Sequence, residues 1–172
     1  MKTILKVSNL TVALIILFFS ANLFAQKKDP SSKEIKLIKD LIERETKAFF
    51  EIDKQTWSDC WAHEPYAFWS FADTTDVNSF SGWEAIHQGF AEYFASSKPS
   101  AAKIDRNWLD VKVFGNGAYA RFTQHVRDQD ISRGEQAEVR VLEKQNGEWK
   151  IVHVGVISSK KPIIVTSQAH QN

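Results

Sequence analysis

The sequence predicts a single α+β domain in which helices pack on one face of a curved antiparallel sheet. Two observations support this fold class. Apolar residues recur at helical spacing between residues 35 and 52, and residues after 102 alternate between apolar and polar around two hairpin signals, Asn116-Gly117 and Asn146-Gly147. The helical patterns precede the long strand patterns along the chain, an order typical of α+β domains.

The first 25 residues have the pattern of a secretory signal peptide. Lys2 and Lys6 form a basic start, an apolar stretch runs from Leu10 to Phe19, and small residues end at Ala25. The alternative is a membrane anchor, but the apolar stretch is shorter than the roughly 18–20 residues that span a bilayer. We therefore expect cleavage after Ala25, a periplasmic or secreted protein, and no membrane contact once the peptide is removed.

The predicted organisation is simple. A signal peptide (1–25) and a polar linker (26–32) precede one domain (33–159), and a flexible tail (160–172) follows it. The domain begins with a long amphipathic helix that Ser31 and Glu34 start as a capping box.

Two shorter helices and one strand are predicted next. The second helix covers residues 55–63 and ends before Pro65, and residues 66–71 form a strand. Residues 73–80 are polar and predicted to be a loop. Ser81 and Glu84 form a second capping box, which opens a third helix that is broken near Pro99.

The remaining residues predict a meander of long strands. The strands are separated by Asn116-Gly117, Arg133-Gly134 and Asn146-Gly147, and they cover residues 102–115, 118–128, 135–145 and 149–158. If Asn146-Gly147 is the tip of its hairpin, Arg140 lies opposite His153.

This register assigns side chains to two faces of the sheet. One face carries Glu138, Arg140, Leu142, Trp149, Ile151 and His153, and the other is a valine face of Val139, Val141, Val152, Val154 and Val156. An antiparallel sheet normally exposes one polar face to water. Because neither face is polar here, we expect a second subunit on the valine face, in a homodimer or a larger homo-oligomer.

Arg121 and Arg140 are the notable charges of the sheet. Arg121 shares a face of its strand with Tyr119, Thr123 and His125. Either the two arginines form surface ion pairs, or they line a cavity between sheet and helices, where a guanidinium holds a carboxylate or another oxyanion.

Composition and motifs exclude several function classes. The chain has 22 Lys and Arg against 21 Asp and Glu and no basic block, so nucleic acid is not an expected partner. It lacks H-x-H, H-E-x-x-H and Cys/His clusters, a Gly-rich phosphate loop and a nucleophile elbow. We expect neither a metal nor a cofactor. The single cysteine, Cys60, is expected to be a small buried residue.

Two segments resemble a known superfamily. They are residues 118–162, which contain the closing strand G-x-W-K-I-V-H, and the SGWEAI segment at 81–86. Both are similar to the association domain of calcium/calmodulin-dependent protein kinase II and to the SnoaL-like branch of the nuclear transport factor 2-like superfamily. The resemblance covers residues 33–159. It implies a cone-shaped half-barrel, with a curved antiparallel sheet wrapped around a long N-terminal helix, two further helices and a deep pocket.

The resemblance also implies candidate site residues. Arg121 and Arg140 match arginines that face a pocket for small carboxylates in the kinase association domain. Family enzymes use an Asp or an Asp/His pair as general base, so the catalytic candidates are His125, His153, His87 and Asp110, and no motif selects among them. The expected ligand-binding residues are Arg121, Arg140 and His153 together with the aromatics of the pocket mouth, Trp57, Trp61, Tyr66, Trp69 and Trp83. At least two of these aromatics are expected to be core residues.

Two functions follow from these observations. The first is an exported domain that binds a small carboxylate or an oxygenated apolar molecule, with cofactor-independent lyase or isomerase activity as an extension. The alternative is a non-catalytic oligomerisation or accessory domain, in which internal salt bridges neutralise the arginines. An open cavity of about 300 Å³ or more favours the first.

Overall fold

The computed structural model describes residues 32–128, 131–158 and 163–164, and only the backbone of 131–133 and 163–164. The predicted signal peptide, Ser31 of the first capping box and most of the predicted tail lie outside the described residues. Within them, no helix is both long enough and apolar enough to cross a membrane.

The helices lie in the first half of the domain. They are α1 (Ser32–Phe50), α2 (Lys54–Asp59), α3 (Trp83–Gly89) and α4 (Ala91–Ser96). Asp53 caps α2, since its side chain accepts a hydrogen bond from the backbone N–H of Thr56 at 3.0 Å.

The second predicted capping box does not form. Ser81 is the last residue of a strand, and Gly82 occupies the cap position of α3 with φ of 87° and without a side-chain hydrogen bond. Only glycine adopts this conformation readily. The predicted third helix is also divided into α3 and α4 at Phe90.

The sheet has six main strands in the order β2-β1-β6-β5-β4-β3. The strands are β1 (Phe68–Ala72), β2 (Val77–Ser81), β3 (Lys103–Phe114), β4 (Gly117–Asp128), β5 (Ile131–Gln145) and β6 (Glu148–Ser158). Two residues of the predicted tail, β7 (Ile163–Ile164), pair with the start of β5. The pairings are antiparallel except that of β1 with β6, so the sheet is mixed.

Two predictions about the strands are wrong. Residues 73–80 were expected in a loop, but 77–80 belong to β2, which pairs with β1 at the edge of the sheet. The predicted turn at Arg133-Gly134 lies inside β5, where the register shifts against β4 and Gly134 has φ of 74°. The glycine therefore serves a β-bulge rather than a hairpin turn.

A second bulge changes which residues of β6 face the core. Leu142 pairs with Ile151, but Val141 pairs with His153, so Val152 is an extra residue in β6. The predicted pairing of Arg140 with His153 is wrong, and Arg140 pairs with Val154. The bulge has this effect because one added residue reverses the side-chain alternation.

The core lies between α1 and the inner face of the sheet. Helix α1 contributes Ile38 and Ile42, both with no exposed surface. They belong to one cluster with buried residues of α2, β4 and β6, among them Trp57, Phe122 and Ile151. The spacing of the apolar residues in α1 places them on this one face.

Candidate functional site

A cavity of about 330 Å³ lies between the C-terminal half of α1 and the inner face of the sheet. We call it the central cavity. Its volume lies at the lower end of the range of small-molecule sites, about 300–1,000 Å³. One end of it is polar, with Glu45, Thr46, Gln124, Gln136, Glu138 and Arg140. The rest of the wall is apolar, with Phe49, Phe50, Trp57, Trp69, Phe71, Phe90, Val126, Val154 and Val156.

Arg140 occupies the middle of the polar end. Its Nη2 lies 2.6 Å from Glu138 Oε2, and its Nη1 lies 3.7 Å from Glu45 Oε2. All three side chains are at most 7% exposed. Breaking a buried ion pair of this kind costs roughly 3–5 kcal/mol, because the remaining charge is left without water or a partner.

Hydrogen bonds fix the two carboxylates. Trp57 Nε1 donates to Glu45 Oε1 at 3.1 Å, and Gln124 Nε2 donates to Glu138 Oε1 at 2.5 Å. Gln124 Oε1 in turn accepts from Arg106, at 3.0 Å from Nε and 2.7 Å from Nη2. Because the guanidinium can only donate, it orients the Gln124 amide with its NH₂ group toward Glu138.

Two atoms at the polar end are left without a hydrogen bond from any described residue. They are Arg140 Nε and Glu138 Oε2, although the latter contacts the Arg140 guanidinium. Buried polar atoms are normally satisfied by protein, water or ligand. The polar end therefore presents an unused N–H donor and a carboxylate oxygen beside the central cavity.

Burial sets the proton affinity of these groups. It raises the pKa of Glu138 above the ordinary value of a glutamate, and the opposing attraction of Arg140 and Arg106 is weaker. Burial and repulsion from Arg140 lower the pKa of Arg106 to about 10. Burial is also the main reason why the pKa of His153 is lowered.

The two predicted arginines do not converge. Arg140 lines the central cavity, whereas Arg121 lies on the outer face of the sheet and its side chain is 54% exposed. Arg121 contacts Asp110 Oδ2 through both Nε and Nη2, and this contact lowers the pKa of Asp110. Arg121 alternates with the inward residues Ala120 and Phe122 of β4, which pair with Arg140 and Glu138. Arg121 and Arg140 therefore lie on opposite faces of the sheet and do not line one cavity as predicted.

None of the histidine candidates lines the central cavity. His153 turns to the outer face because of the bulge at Val152, and its ring packs against Phe68 with centroids 5.2 Å apart. His125 alternates with the inward Gln124 and pairs with Glu135 on the outer face. His87 lies beside Trp83 on α3, with ring centroids 5.5 Å apart.

The predicted aromatic wall is formed only in part. Trp57 and Trp69 line the central cavity. Trp61 and Trp83 are core residues, 2% and 7% exposed, as expected for at least two of the aromatics. Tyr66 is 57% exposed, and its hydroxyl donates to Glu143 at 2.6 Å.

Sequence reasoning missed Glu45, Glu138, Gln124 and Arg106 as site residues. Two signals could have found the carboxylates. Glu45 lies three residues after Ile42 within the apolar stripe of α1, and Glu138 lies two residues before Arg140 on the inward face of β5. A charged residue on a face that is otherwise buried marks either a core ion pair or a site.

The described residues offer no set of metal ligands. No group of three or more His, Cys, Asp or Glu side chains in this part of the chain is arranged to hold an ion. The polar groups that line the central cavity are two carboxylates, two amides, one hydroxyl and one guanidinium.

A curved, unclosed sheet that packs on a long helix and borders a cavity defines the nuclear transport factor 2-like class of α+β folds. The sequence pattern of the SnoaL-like domain matches residues 38–158, and the chain belongs to the SnoaL-like family. The predicted resemblance and fold class are confirmed. This fold supports a ligand-binding or isomerase-type domain.

Several solved structures share the fold. A nuclear transport factor 2-like protein of Salmonella enterica is 22% identical, with a TM-score of 0.60 over 83% of this chain and all (100%) of that one. One from Pseudomonas putida is 16% identical, with a TM-score of 0.60 over 84% of this chain and 99% of that one.

A third structure carries the kinase likeness. A Thiobacillus denitrificans protein, assigned to the calcium/calmodulin-dependent protein kinase type II association domains, is 11% identical, with a TM-score of 0.57. The match covers 70% of this chain and 93% of that one. These identities show a common fold alone. No curated protein matches the chain.

Proposed function

We propose that the protein binds a small, uncharged, oxygenated molecule with an apolar body in the central cavity. The observation that carries this proposal is the buried N–H at Arg140 Nε, which has no hydrogen-bond partner among the described residues. A ligand carbonyl or hydroxyl oxygen would accept from it, while the aromatic wall would hold the apolar body.

Charge favours an uncharged ligand over the predicted carboxylate. Glu45 and Glu138 both lie within 4 Å of Arg140, so its positive charge already has two counter-charges. A third carboxylate at this end would meet two buried negative charges. Arg121, the other arginine expected to hold a carboxylate, lies on the outer face of the sheet.

Glu138 supports an extension to isomerase or lyase activity. In an isomerisation, its carboxylate would take a proton from the carbon next to the ligand carbonyl and return it to another carbon, while Arg140 Nε–H stabilises the enolate oxygen. The raised pKa of Glu138 makes its carboxylate a stronger base than an exposed one.

Calorimetric titration with cyclohexanone, cyclohexanol and cyclohexanecarboxylate tests the binding proposal. We expect the two neutral compounds to bind more tightly than the carboxylate. Val156→Phe fills the cavity from its wall and should weaken ketone binding at least about tenfold, whereas Val139→Phe on the outer face should leave it unchanged. Equal ketone affinity in the two variants would overturn the proposal. So would the failure of every neutral compound in a wider panel to bind the wild type.

The same ketone tests the proton transfer. In D₂O, the wild type should exchange the protons next to the ketone carbonyl, and Glu138→Gln should slow this exchange by about 100-fold or more. Glu84→Gln, which changes an exposed glutamate of α3, is the matched control. If Glu138→Gln still binds the ketone and exchanges its protons at the wild-type rate, Glu138 is not the base. The binding proposal would then stand without this catalytic role.

The alternative, an assembly or accessory domain, is favoured by two observations. Arg121 and Arg140 both form ion pairs with carboxylates of the chain, and the outer face of the sheet exposes apolar side chains. The outer face of the sheet exposes Val139 by 40% and Ile157 by 66%. We propose that a second copy of the chain covers this face in a homodimer, which is compatible with ligand binding on the inner face. The bulge places Val154 and Val156 inside, so the predicted valine face is smaller than expected.

We also propose that the domain acts in the periplasm or outside the cell. The support is the basic and apolar pattern of residues 1–25. The mass of the protein recovered from a periplasmic fraction should correspond to a chain that starts at Gln26.

A further inference from the structure

A second cavity, of about 440 Å³, lies on the other side of α1, between its C-terminal half and the start of β3. We call it the side cavity. We infer that it binds a small carboxylate, and that Arg106 at its base is the anchor. This site is distinct from the central cavity and does not depend on a ligand there.

Arg106 is a partly buried cation whose direct partners are neutral. Its Nε and Nη2 donate to Gln124 Oε1, and Nη2 also donates to Thr46 Oγ1 at 3.1 Å. No carboxylate of the described residues lies within 4.0 Å of its guanidinium. Nη1 donates to none of the described residues and remains available to a ligand.

The electrostatic surroundings agree with an incompletely neutralised arginine. Glu138, Glu45 and Glu43 attract the Arg106 proton from a distance, but burial and the repulsion of Arg140 outweigh them and lower the pKa. An anion that reaches the guanidinium would supply the missing close counter-charge. Arginine binds carboxylates well because its parallel N–H groups match both oxygens.

Ser100 is the second observation that points to a ligand. Its side-chain oxygen is buried and has no hydrogen-bond partner among the described residues, and the residue lines the side cavity together with Arg106. A hydroxyl can donate to a carboxylate oxygen. The site thus offers a guanidinium and an unused hydroxyl.

The rim of the side cavity sets limits on the ligand. Glu43, Lys47 and Glu51 line the rim on α1, and Lys47 Nζ lies 3.7 Å from Glu51 Oε1. Glu43 forms no ion pair with any described residue, so its negative charge repels an approaching anion. The apolar wall of Phe50, Ala101, Ala102 and Ile104 favours a carboxylate with an apolar body over an inorganic ion.

Benzoate, with benzamide as its uncharged analogue, tests the inference by calorimetric titration at constant ionic strength. We expect benzoate to bind the wild type and benzamide to bind at least about tenfold more weakly. Arg106→Gln should weaken benzoate at least about tenfold, whereas Arg121→Gln, which changes an arginine on the outer face, should not. An equal loss in both arginine variants would indicate general surface attraction and overturn the inference.

Further variants keep the test decisive. Two other variants serve as the test if Arg106→Gln does not fold. Glu43→Gln should tighten benzoate binding two- to threefold, because it removes repulsion at the rim, and Ser100→Ala should weaken benzoate binding. Unchanged affinity in both variants would overturn the inference.

Val156→Phe, which changes the wall of the central cavity, should leave benzoate binding intact. Loss of benzoate binding in this variant would place the anion in the central cavity and would also overturn the inference. Ketone binding reports on the proposed function separately.

Discussion

Glu138 is a carboxylate in an environment unlike that of an exposed glutamate. It is 4% exposed, it faces Arg140 across 2.6 Å, and Gln124 holds its other oxygen. Its carboxyl is more easily protonated in the folded chain than in the unfolded one, because burial penalises the charged form more than Arg140 favours it.

This elevation makes stability depend on pH in a defined direction. Between the unfolded pKa near 4.5 and the higher folded pKa, the folded state keeps a proton that the unfolded state has released. The contribution of Glu138 is therefore fully present below the unfolded pKa and is lost as pH rises through the folded pKa. Each unit of elevation corresponds to about 1.4 kcal/mol.

Urea denaturation of the wild type and Glu138→Gln from pH 4 to pH 8 measures the effect. The free energy of unfolding of the wild type, relative to that of the variant, should fall as pH rises. A difference that is constant with pH would contradict the raised pKa. Glu84→Gln controls for the loss of one carboxylate at the surface.

The inward direction of Arg140 could be predicted from sequence, but its partners could not. Period-2 alternation places Glu138, Arg140 and Leu142 on one face of β5, as the structure shows. Glu45 reaches the same guanidinium from α1, and the distance between a helix and a strand is set by packing that no local pattern specifies. The same reason explains why Arg106 and Gln124 were missed.

At the scale of elements, the long periodic segments were predictable and the short ones were not. Helix α1 and the two hairpin turns have strong local signals, although the first turn consists of residues 115–116 and lies one residue before the predicted Asn116-Gly117. Strand β2 does not, because it is an edge strand whose only partly buried side chain is Phe80. It forms because β1 offers it a partner, which is a tertiary effect.

Phe80 connects β2 to the wall of the central cavity. Its ring packs on Trp69 and Phe90, with centroids 5.5 Å and 5.8 Å apart, and both of these residues line the cavity. Gly89 on α3 leaves room for it, since a Cβ built at Gly89 would lie 2.5 Å from the ring. The contact thus requires glycine for space.

We therefore expect Gly89→Ala to displace Phe80 and to lower the free energy of unfolding by about 1–3 kcal/mol. Ketone affinity should fall as well, because Trp69 and Phe90 lose a neighbour. Gly117→Ala is the control, since a Cβ there has no heavy atom closer than 3.7 Å. Equal stability of the two variants in urea would show that the aromatic wall adapts without cost.

At the scale of the whole molecule, one sheet separates two surfaces that carry different sets of residues. The inner face encloses the central cavity, and the outer face carries Arg121, Asp110 and His153 with exposed apolar side chains. The residues expected to form one site are therefore divided between the two sides. The proposed dimer and the proposed ligand would use different faces of the sheet and would not compete.

Light scattering after size-exclusion chromatography tests the dimer. We expect the wild type to have twice the mass of one chain, and Val139→Lys on the outer face to halve that mass. Leu37→Lys, which changes an exposed apolar residue of α1, should keep the dimer. A monomeric wild type, or dissociation by Leu37→Lys alone, would show that the outer face is not the interface.

The extra residue at Val152 has a consequence for how relatives of this chain diverge. If β6 instead continued past Ile151 without the bulge, Val152 would pair with Val141, and His153 rather than Val154 would lie at the cavity wall beside Arg140. A shift of register by one residue can thus replace an aliphatic side chain at the cavity wall with an imidazole without any substitution. Alignments of relatives should place a one-residue gap here before any histidine of this strand is compared with His153.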